Sequence, residues 1–176
     1  MLRLFVALEL AADARSALAH WADGAAPAAM RRVPAGNLHV TLAFLGARPE
    51  AEAEAIATVL EAVNRRVGKL IVEEPIWLPV RRPGVLAVAL RARPPLAELH
   101  ADLVAGLADA VGFAPERRAL RPHVTVARVR RGERLDAVRV DPPPALALVP
   151  EALVLYRSDT GPQGVRYEAL ARAAGA

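Results

Sequence analysis

Alternating apolar and polar positions predict that much of this chain forms β-strands. From Leu2 to Leu10, apolar residues recur at every second position, which is typical of a strand with one buried face. Residues 37–46 have the same period, which would place Val40 and Phe44 on a core face and His39 on the opposite face. Further strands are predicted at residues 70–78, 84–91, 121–130, 153–158 and 165–171.

Segments with the helical spacing of apolar residues separate these strands. They predict helices over residues 11–23, over residues 49–66, and from Pro94 to the residue before Gly112. The order of strand, helix and His-containing strand occurs twice, with His39 and His123 84 residues apart, which indicates a weak internal duplication. We therefore expect an α+β fold: a bilobal molecule with two pseudo-symmetric antiparallel β-sheets, flanked by helices, and a central cleft. The 176 residues would form one domain, with repeat halves of roughly 1–80 and 84–176.

The composition is that of a folded protein without disulfides. Hydrophobic residues make up 54% of the chain and charged residues 24%, and the mean hydropathy is +0.23. The absence of cysteine excludes disulfides, thiolate nucleophiles and Cys-ligated metal sites. No apolar run approaches the ~20 residues that a membrane span needs, and Glu9 and Asp13 interrupt the apolar N-terminus, unlike in a signal peptide. We expect a cytoplasmic monomer with no membrane association and no obligate protein partner.

Arginine supplies almost all of the positive charge. Lys69 is the sole lysine, the net charge is +4 and the pI is about 10.5. Arginine can bind phosphate through two parallel hydrogen bonds, so this charge permits a nucleic-acid partner. It does not establish one, because a GC-rich genome also favours arginine codons. Paired arginines, some of which could border an RNA path, occur at 31–32, 65–66, 81–82, 117–118 and 130–131.

Two of the four histidines share a motif. His39 and His123 are each followed by valine and then by threonine, which gives the matching pairs His39–Thr41 and His123–Thr125. Because the chain has threonine at only 4 of its 176 positions, two such pairs would arise by chance roughly 0.3% of the time. The period of a strand puts each histidine and its threonine on one face. The other two histidines lie in predicted helices without the motif, and we expect no catalytic role for them.

Two imidazoles that face each other across a cleft suit the opening of a cyclic phosphate. A neutral ring can take a proton from an attacking water, while the other ring, protonated, donates a proton to the leaving ribose oxygen. The hydroxyls of Thr41 and Thr125 can hydrogen-bond the non-bridging phosphate oxygens. Neither motif has a carboxylate or a second histidine at metal-ligand spacing, so we expect chemistry without a metal. From the residues alone, either histidine could be the acid.

With their flanking residues, the two motifs resemble those of the 2H phosphoesterases, which are named for two His-x-Thr-x motifs. These read HVTL from His39 and HVTV from His123. Within that superfamily, the chain is most similar to the bacterial and archaeal RNA 2',3'-cyclic phosphodiesterases, also called 2'-5' RNA ligases. The similarity includes RLFVALEL, NLHVTLAFLG, RPHVTVARV, LVLYRS and the G-P-x-G-x-x-Y turn that follows, and so extends over nearly the whole chain.

The resemblance implies hydrolysis of RNA that ends in a 2',3'-cyclic phosphate, to give a 2'-phosphate, with no metal and no other cofactor. It also implies weak joining of RNA ends through a 2'-5' linkage, which is the reverse direction of the same chemistry. His39 would be the proton donor and His123 the proton acceptor. The partner would be RNA with a 2',3'-cyclic phosphate terminus.

Further site residues follow from the resemblance and from residue type. The family carries an arginine at the position of Arg128 that is expected to help bind phosphate. Strict alternation after His123 places Arg128 on the opposite face of its strand, so a twist or bulge would be needed for it to reach the site. Phe5 and Tyr156 are candidates for stacking on an RNA base, whereas Phe44 is expected in the core because of its place in the alternating pattern.

Two other functions fit the same residues. A 2H phosphodiesterase that acts on a small cyclic phosphate or cyclic nucleotide would have identical catalytic residues and a different substrate pocket. A non-catalytic RNA-binding protein could use the cleft to hold a phosphate, in which case variants without His39 or His123 would still bind RNA. A metallohydrolase is disfavoured, because it would need ligands that neither motif supplies.

Overall fold

The computed structural model describes residues 1–63, 66–80, 82–91, 93–115, 119–161 and 164–174, which form nine strands and three α-helices. In chain order the elements are β1 (Leu2–Leu10), α1 (Ala12–Ala25), β2 (Met30–Arg32), β3 (His39–Arg48), α2 (Ala53–Val63), β4 (Leu70–Leu78), β5 (Val85–Leu90), α3 (Pro94–Val111), β6 (His123–Val129), β7 (Ala147–Leu148), β8 (Pro150–Gly161) and β9 (Gly164–Ala174). The strands and helices expected from the sequence are present, whereas β2 and β7 are too short to show a period. Two features expected from the sequence lie wholly or partly outside the described residues. These are the turn between the last two strands and the arginine pairs at 65–66, 81–82 and 117–118.

The nine described strands pair antiparallel in the order β7-β4-β5-β6-β3-β1-β8-β9, and β2 also pairs with β6. β3 and β6 share a single residue pair, Val40 with Val124. On one side of this pair lies the β1 half of the sheet (β3, β1, β8 and β9), and on the other the β5 half (β6, β5, β4 and β7, with β2). The expected α+β fold is confirmed, but the two antiparallel sheets expected from the sequence are two halves of one sheet, hydrogen-bonded at this junction.

One face of the sheet packs against the helices, which contribute apolar stripes to a single core. The stripe of α3 consists of Leu96, Leu99, Leu103 and Leu107, all fully buried. Pro94 begins this helix, and Gly112 ends it in the left-handed conformation that glycine adopts most easily. Burial of each leucine contributes roughly 1.5–3 kcal/mol, so the helix is held mainly by its packing against the sheet. No helix in the described parts of the chain is both long and apolar enough to cross a lipid bilayer.

Two helices cross the junction: each follows a strand of one half of the sheet in the chain but contacts the other half. α1 follows β1 but contacts β6 and β2 of the β5 half. α3 follows β5, yet its His100 hydrogen-bonds the backbone of Leu42 in β3. At the end of β3, Arg48 donates to the carbonyl oxygen of Val111, the last residue of α3, at 2.8 Å. The helices therefore join the two halves on the face opposite the motifs.

Candidate active site

A cavity of about 630 Å³ lies where β3 and β6 meet. His39 and Thr41 from β3 and His123 and Thr125 from β6 all line it. The valine between each histidine and its threonine points the other way and is fully buried, as the alternation of side chains along a strand requires. The structure brings the four motif side chains together around one space.

The two motifs face each other with approximate twofold symmetry. Because β3 and β6 are antiparallel and pair at the central valine of each motif, His39 lies across from Thr125 and Thr41 lies across from His123. The two histidines are then diagonal neighbours across the junction, and in a regular ladder such neighbours are roughly 7–8 Å apart. This spacing leaves room for a tetrahedral phosphate between the imidazoles, with a threonine hydroxyl on each side.

Each motif histidine is held by the backbone carbonyl two residues before it. His39 Nδ1 lies 2.7 Å from the carbonyl oxygen of Asn37, and His123 Nδ1 lies 2.7 Å from that of Arg121. Because a carbonyl oxygen only accepts, Nδ1 is the donating nitrogen in both rings. His39 Nε2 lies 3.0 Å from Thr41 Oγ1. Because Nδ1 is bound to the backbone in both rings, Nε2 is the nitrogen that can transfer a proton.

A β-bulge in β6 brings Arg128 to the cavity. The pairing with β5 shifts by one residue between Thr125 and Ala127, and Val126 and Ala127 are both buried in the core. The alternation is reversed from that point, so Arg128 lies on the same face as His123 and lines the cavity. This is the bulge that a phosphate-binding role for Arg128 requires, and the role itself stays a prediction.

β3 has a bulge at the matching position, and there the expectation for Phe44 is wrong. The pairing with β1 shifts by one residue after Thr41 and again before Gly46. Phe44 therefore leaves the core face, is 67% exposed and lines the cavity, while Leu45 is buried in its place. Phe44 and Arg128 each follow a motif histidine by five residues. The two bulges thus place an aromatic ring on one side of the cavity and a guanidinium on the other.

Three aromatic rings of the described structure surround the His39 ring. Phe5 lies 5.0 Å from it between ring centres, and Tyr167 meets it edge-on at 5.3 Å. Tyr156 stacks on Phe5 at 5.2 Å and is not part of the cavity lining, and Phe5 is 3% exposed. Phe5 and Tyr156 support the imidazole, and their role in base stacking stays a prediction, whereas Phe44 presents an open ring face. Tyr167 did not stand out in the sequence, where its one signal is the last position of the G-P-x-G-x-x-Y turn.

The surroundings of His39 lower its pKa from the ordinary 6.5 to about 4. Burial of the ring contributes most, and the positive charges of Arg128 and His123 lower the pKa further, whereas the hydrogen bond to the Asn37 carbonyl acts in the opposite direction. His39 is therefore neutral near pH 7 in the absence of a bound anion. A bound phosphate anion would offset the neighbouring positive charges and raise this pKa.

Within the described residues, the arginines that line the cavity have no acidic partner. Arg3 and Arg128 line it without forming an ion pair, whereas Arg48, Arg91 and Arg157 elsewhere each pair with a carboxylate. Guanidinium groups without a counter-charge favour an anionic ligand. The described residues contain no group of three or more His, Asp or Glu side chains placed to hold a metal ion.

Sequence comparison associates the chain with one family. The family model of the 2'-5' RNA ligase superfamily matches residues 9–162. A protein of Escherichia coli (strain K12) named RNA 2',3'-cyclic phosphodiesterase is 32% identical over 151 residues, which cover 80% of this chain and 77% of the relative. A protein of the same name from Geobacillus stearothermophilus is 25% identical over 169 residues, which cover 88% of this chain and 52% of the relative. The chain therefore spans about half the length of this second relative.

Solved structures resemble this fold over almost the entire chain. A protein of Thermus thermophilus has a TM-score of 0.82 and 28% identity, covering 98% of this chain and 97% of its own. E. coli LigT complexed with 3'-AMP has a TM-score of 0.81 and 30% identity, with 98% and 97% covered. LigT complexed with phosphate has a TM-score of 0.76 and 30% identity, with 98% and 96% covered. The similarity therefore includes both halves of the sheet.

Proposed function

Because the chain belongs to the 2'-5' RNA ligase superfamily, we propose that it hydrolyses RNA ends that carry a 2',3'-cyclic phosphate and leaves a 2'-phosphate. The observation that carries this proposal is the facing pair of His-x-Thr motifs in one cavity, with both Nδ1 atoms bound to backbone carbonyls. The names of the E. coli and G. stearothermophilus relatives support the substrate class.

The two histidines supply an acid and a base to a single displacement at phosphorus. A water molecule attacks opposite the 3' oxygen, so that a bond from water oxygen to phosphorus forms and the P–O3' bond breaks. Nε2 of His123 takes a proton from the water, and Nε2 of His39 donates a proton to the departing O3'. The products are a 2'-phosphate and a free 3'-hydroxyl, and solvent restores the two protonation states. Each proton transfer is worth roughly 10²–10⁴-fold in rate.

The other cavity groups stabilise the phosphate as its charge builds up. The hydroxyls of Thr41 and Thr125 donate to non-bridging oxygens from opposite sides, and the Arg128 guanidinium can donate one charge-assisted hydrogen bond to them. The low pKa of His39 before substrate binds means that this residue takes up its proton when the anionic substrate arrives. Substrate binding and protonation of the acid are therefore coupled.

The same geometry permits a slower joining reaction. If the 5'-hydroxyl of a second RNA strand takes the place of water, His123 accepts its proton and His39 again protonates O3'. The new bond then links a 2' oxygen to a 5' oxygen through the phosphate.

The direct test is turnover of a short RNA with a 2',3'-cyclic phosphate, in EDTA, by the wild type, His39→Ala and His123→Ala. His20→Ala is the matched control, because His20 is exposed on α1 and away from the cavity. We expect a 2'-phosphate product, identified by mass and by resistance to a 3'-specific phosphatase, from the wild type and His20→Ala alone. A 3'-phosphate product, or full turnover by either motif variant, would contradict the proposal. Binding of the RNA without turnover by the wild type would assign a binding function instead.

A change of leaving group separates the roles of the two histidines. A nitrophenyl phosphodiester releases an anion that needs no proton, so His39→Ala should retain activity on it while His123→Ala does not. The opposite result would exchange the acid and the base. On the RNA substrate, the rate should depend on pH as a bell-shaped curve, because one ring must be charged and the other neutral.

A second candidate function is hydrolysis of a small cyclic phosphate or cyclic nucleotide. The cavity of about 630 Å³ has the size typical of sites that enclose one small molecule, and this observation favours a mononucleotide as a complete substrate. Relative rates on a cyclic mononucleotide and on an oligonucleotide with the same terminal base distinguish the two functions.

We further propose that the protein works as a cytoplasmic monomer. All four motif side chains come from one chain, so the site is complete without a second copy. Light scattering of the purified protein and fractionation of cells test the two statements separately, and a stable dimer or a membrane-bound pool would contradict them.

A further inference from the structure

A side pocket of about 100 Å³ adjoins the cavity, where β2 and β6 meet the start of β9. Arg31, Pro34 and Gly164 are among the residues that line the side pocket but not the cavity, whereas Asn37 and Arg128 line both. The two spaces are therefore continuous, and Arg128 stands at their boundary. The two-histidine reaction makes no use of the side pocket.

Two arginines of β2 line the side pocket, and one of them is engaged elsewhere. Arg32 donates to the carbonyl oxygens of Asp23 and Ala26 at 2.9 and 3.0 Å, and its guanidinium lies 3.9 Å from the Asp23 carboxylate. These bonds attach β2 to the end of α1. Arg31 is exposed and forms no hydrogen bond or ion pair with any residue of the described structure. Arg31 is therefore the one of the two that is free to bind a ligand.

Arg31 lies directly across the β2–β6 ladder from Arg128. Like charges in this arrangement repel each other, so the pair favours an anion that contacts both guanidinium groups. Gly164 determines where the Arg31 side chain rests: its φ is +113°, and a Cβ there would come within 2.9 Å of Arg31 Nη1. Glycine at this position lets the guanidinium pack against the backbone at the start of β9.

The wall of the side pocket is also connected to the catalytic strand. The side-chain amide of Asn37 donates to the carbonyl oxygen of Val165 at 3.1 Å, and the backbone carbonyl of Asn37 holds Nδ1 of His39. One residue thus fixes both the start of β9 and the orientation of the catalytic ring. The side pocket and the histidine site are therefore joined through the hydrogen bonds of Asn37.

We propose that Arg31 and Arg128 bind the phosphodiester that joins the terminal nucleotide of the RNA to the nucleotide before it. This rests on the proposed function, because it takes the cyclic phosphate to lie between His39 and His123. Phe44 and Arg128 occupy matching positions on opposite sides of that phosphate, so the terminal base is directed to the aromatic side and the rest of the chain to the arginine side. The preferred substrate is then an oligonucleotide, and a cyclic mononucleotide leaves the side pocket unused.

The test compares three substrates with the same terminal base. The first is a nucleoside 2',3'-cyclic phosphate, the second is a dinucleotide with that end, and the third is the same dinucleotide with an uncharged methylphosphonate linkage. The variants are Arg31→Gln, Arg31→Lys and the control Arg139→Gln, because Arg139 is also exposed but lies on neither space. Thermal unfolding of each variant shows whether it is folded.

The expected result is selective. Arg31→Gln should lower kcat/KM for the natural dinucleotide roughly tenfold, mainly through KM, in line with the loss of one hydrogen bond between charged groups. It should leave the mononucleotide and the methylphosphonate within about twofold of wild type, by the same reasoning. Arg31→Lys should restore part of the loss, and Arg139→Gln should match wild type. For the dinucleotide, the slope of log KM against log salt concentration should also be smaller by about 0.7 in Arg31→Gln than in wild type.

Other outcomes separate this inference from the proposed function. Equal losses on all three substrates would assign Arg31 to the fold or to the reacting phosphate and overturn the inference. No loss on any substrate would do the same while leaving the cyclic phosphodiesterase standing. If the wild type turns over none of the three, the proposed function fails and the inference falls with it.

Discussion

Protonation of His39 should make the stability of the ligand-free protein depend on pH. The folded-state pKa of about 4 lies below the ordinary 6.5, so between these values the unfolded chain binds a proton at this position that the folded protein does not. The free energy of unfolding is therefore highest above pH 6.5 and falls as the pH falls toward 4. At 1.36 kcal/mol per pKa unit, the loss is about 2 kcal/mol at pH 5 and reaches about 3 kcal/mol well below pH 4. These are upper limits, because the ring borders an open cavity and solvent screens its charge.

The variant His39→Gln isolates this contribution. Glutamine keeps a polar side chain at the position but does not titrate, while the carboxylates that also titrate at low pH are the same in both proteins. Urea unfolding at a series of pH values between 8 and 4.5 gives the free energy of unfolding of each protein. We expect the wild type to lose up to about 2 kcal/mol more than the variant between pH 8 and pH 5. Parallel pH profiles for the two proteins would refute the argument from burial.

Arg128→Gln should raise the pKa of His39, followed by NMR, because one of the charges that lower it is removed; an unchanged pKa would contradict the placement of the guanidinium beside the ring. Phe44→Ala should leave the free energy of unfolding within about 0.5 kcal/mol of wild type, since the side chain is 67% exposed, but should raise KM by an amount that corresponds to about 1–3 kcal/mol if the ring stacks on the terminal base. Phe5→Ala, at a position that is 3% exposed, should instead lower the free energy of unfolding by about 3–5 kcal/mol, and equal losses in the two phenylalanine variants would show that their surroundings do not differ as described. Thr41→Val should lower kcat/KM roughly tenfold to a hundredfold through loss of one hydrogen bond to the charged phosphate, and full activity of this variant would assign the hydroxyl to orienting His39 or to the fold.

The regular parts of the fold could be predicted from the sequence because the period of side chains reflects which face is buried. The alternation around Val40 and Val124 predicted both motif strands, and both valines are fully buried. The same alternation placed each histidine on a face with its threonine, which is where the structure has them. A motif within a regular strand is therefore accessible to sequence reasoning.

The irregular parts could not be predicted, because they depend on pairing between distant segments. Phe44 leaves the core face where β3 gains a residue relative to β1, and Arg128 reaches the cavity where β6 gains one relative to β5. Neither extra residue changes the local pattern of apolar positions. The contact of Tyr167 with the His39 ring likewise depends on where β9 lies, and the place of Tyr167 at the end of the G-P-x-G-x-x-Y turn does not indicate that contact.

The two helices that pack across the junction have a consequence for how the molecule folds. α1 contacts β6 and β2, and α3 is bonded to β3 through His100 and Arg48. If the two halves of the sheet separated, each would therefore expose the apolar face that one of these helices now covers. The two halves of the sheet are then interlaced, and we expect that they do not fold independently. Fluorescence of Trp77, in β4 of the β5 half, and NMR signals of β8, in the β1 half, should report one common unfolding transition, and two separate transitions would contradict this. A destabilising substitution in either half should therefore lower the stability of both motif strands together.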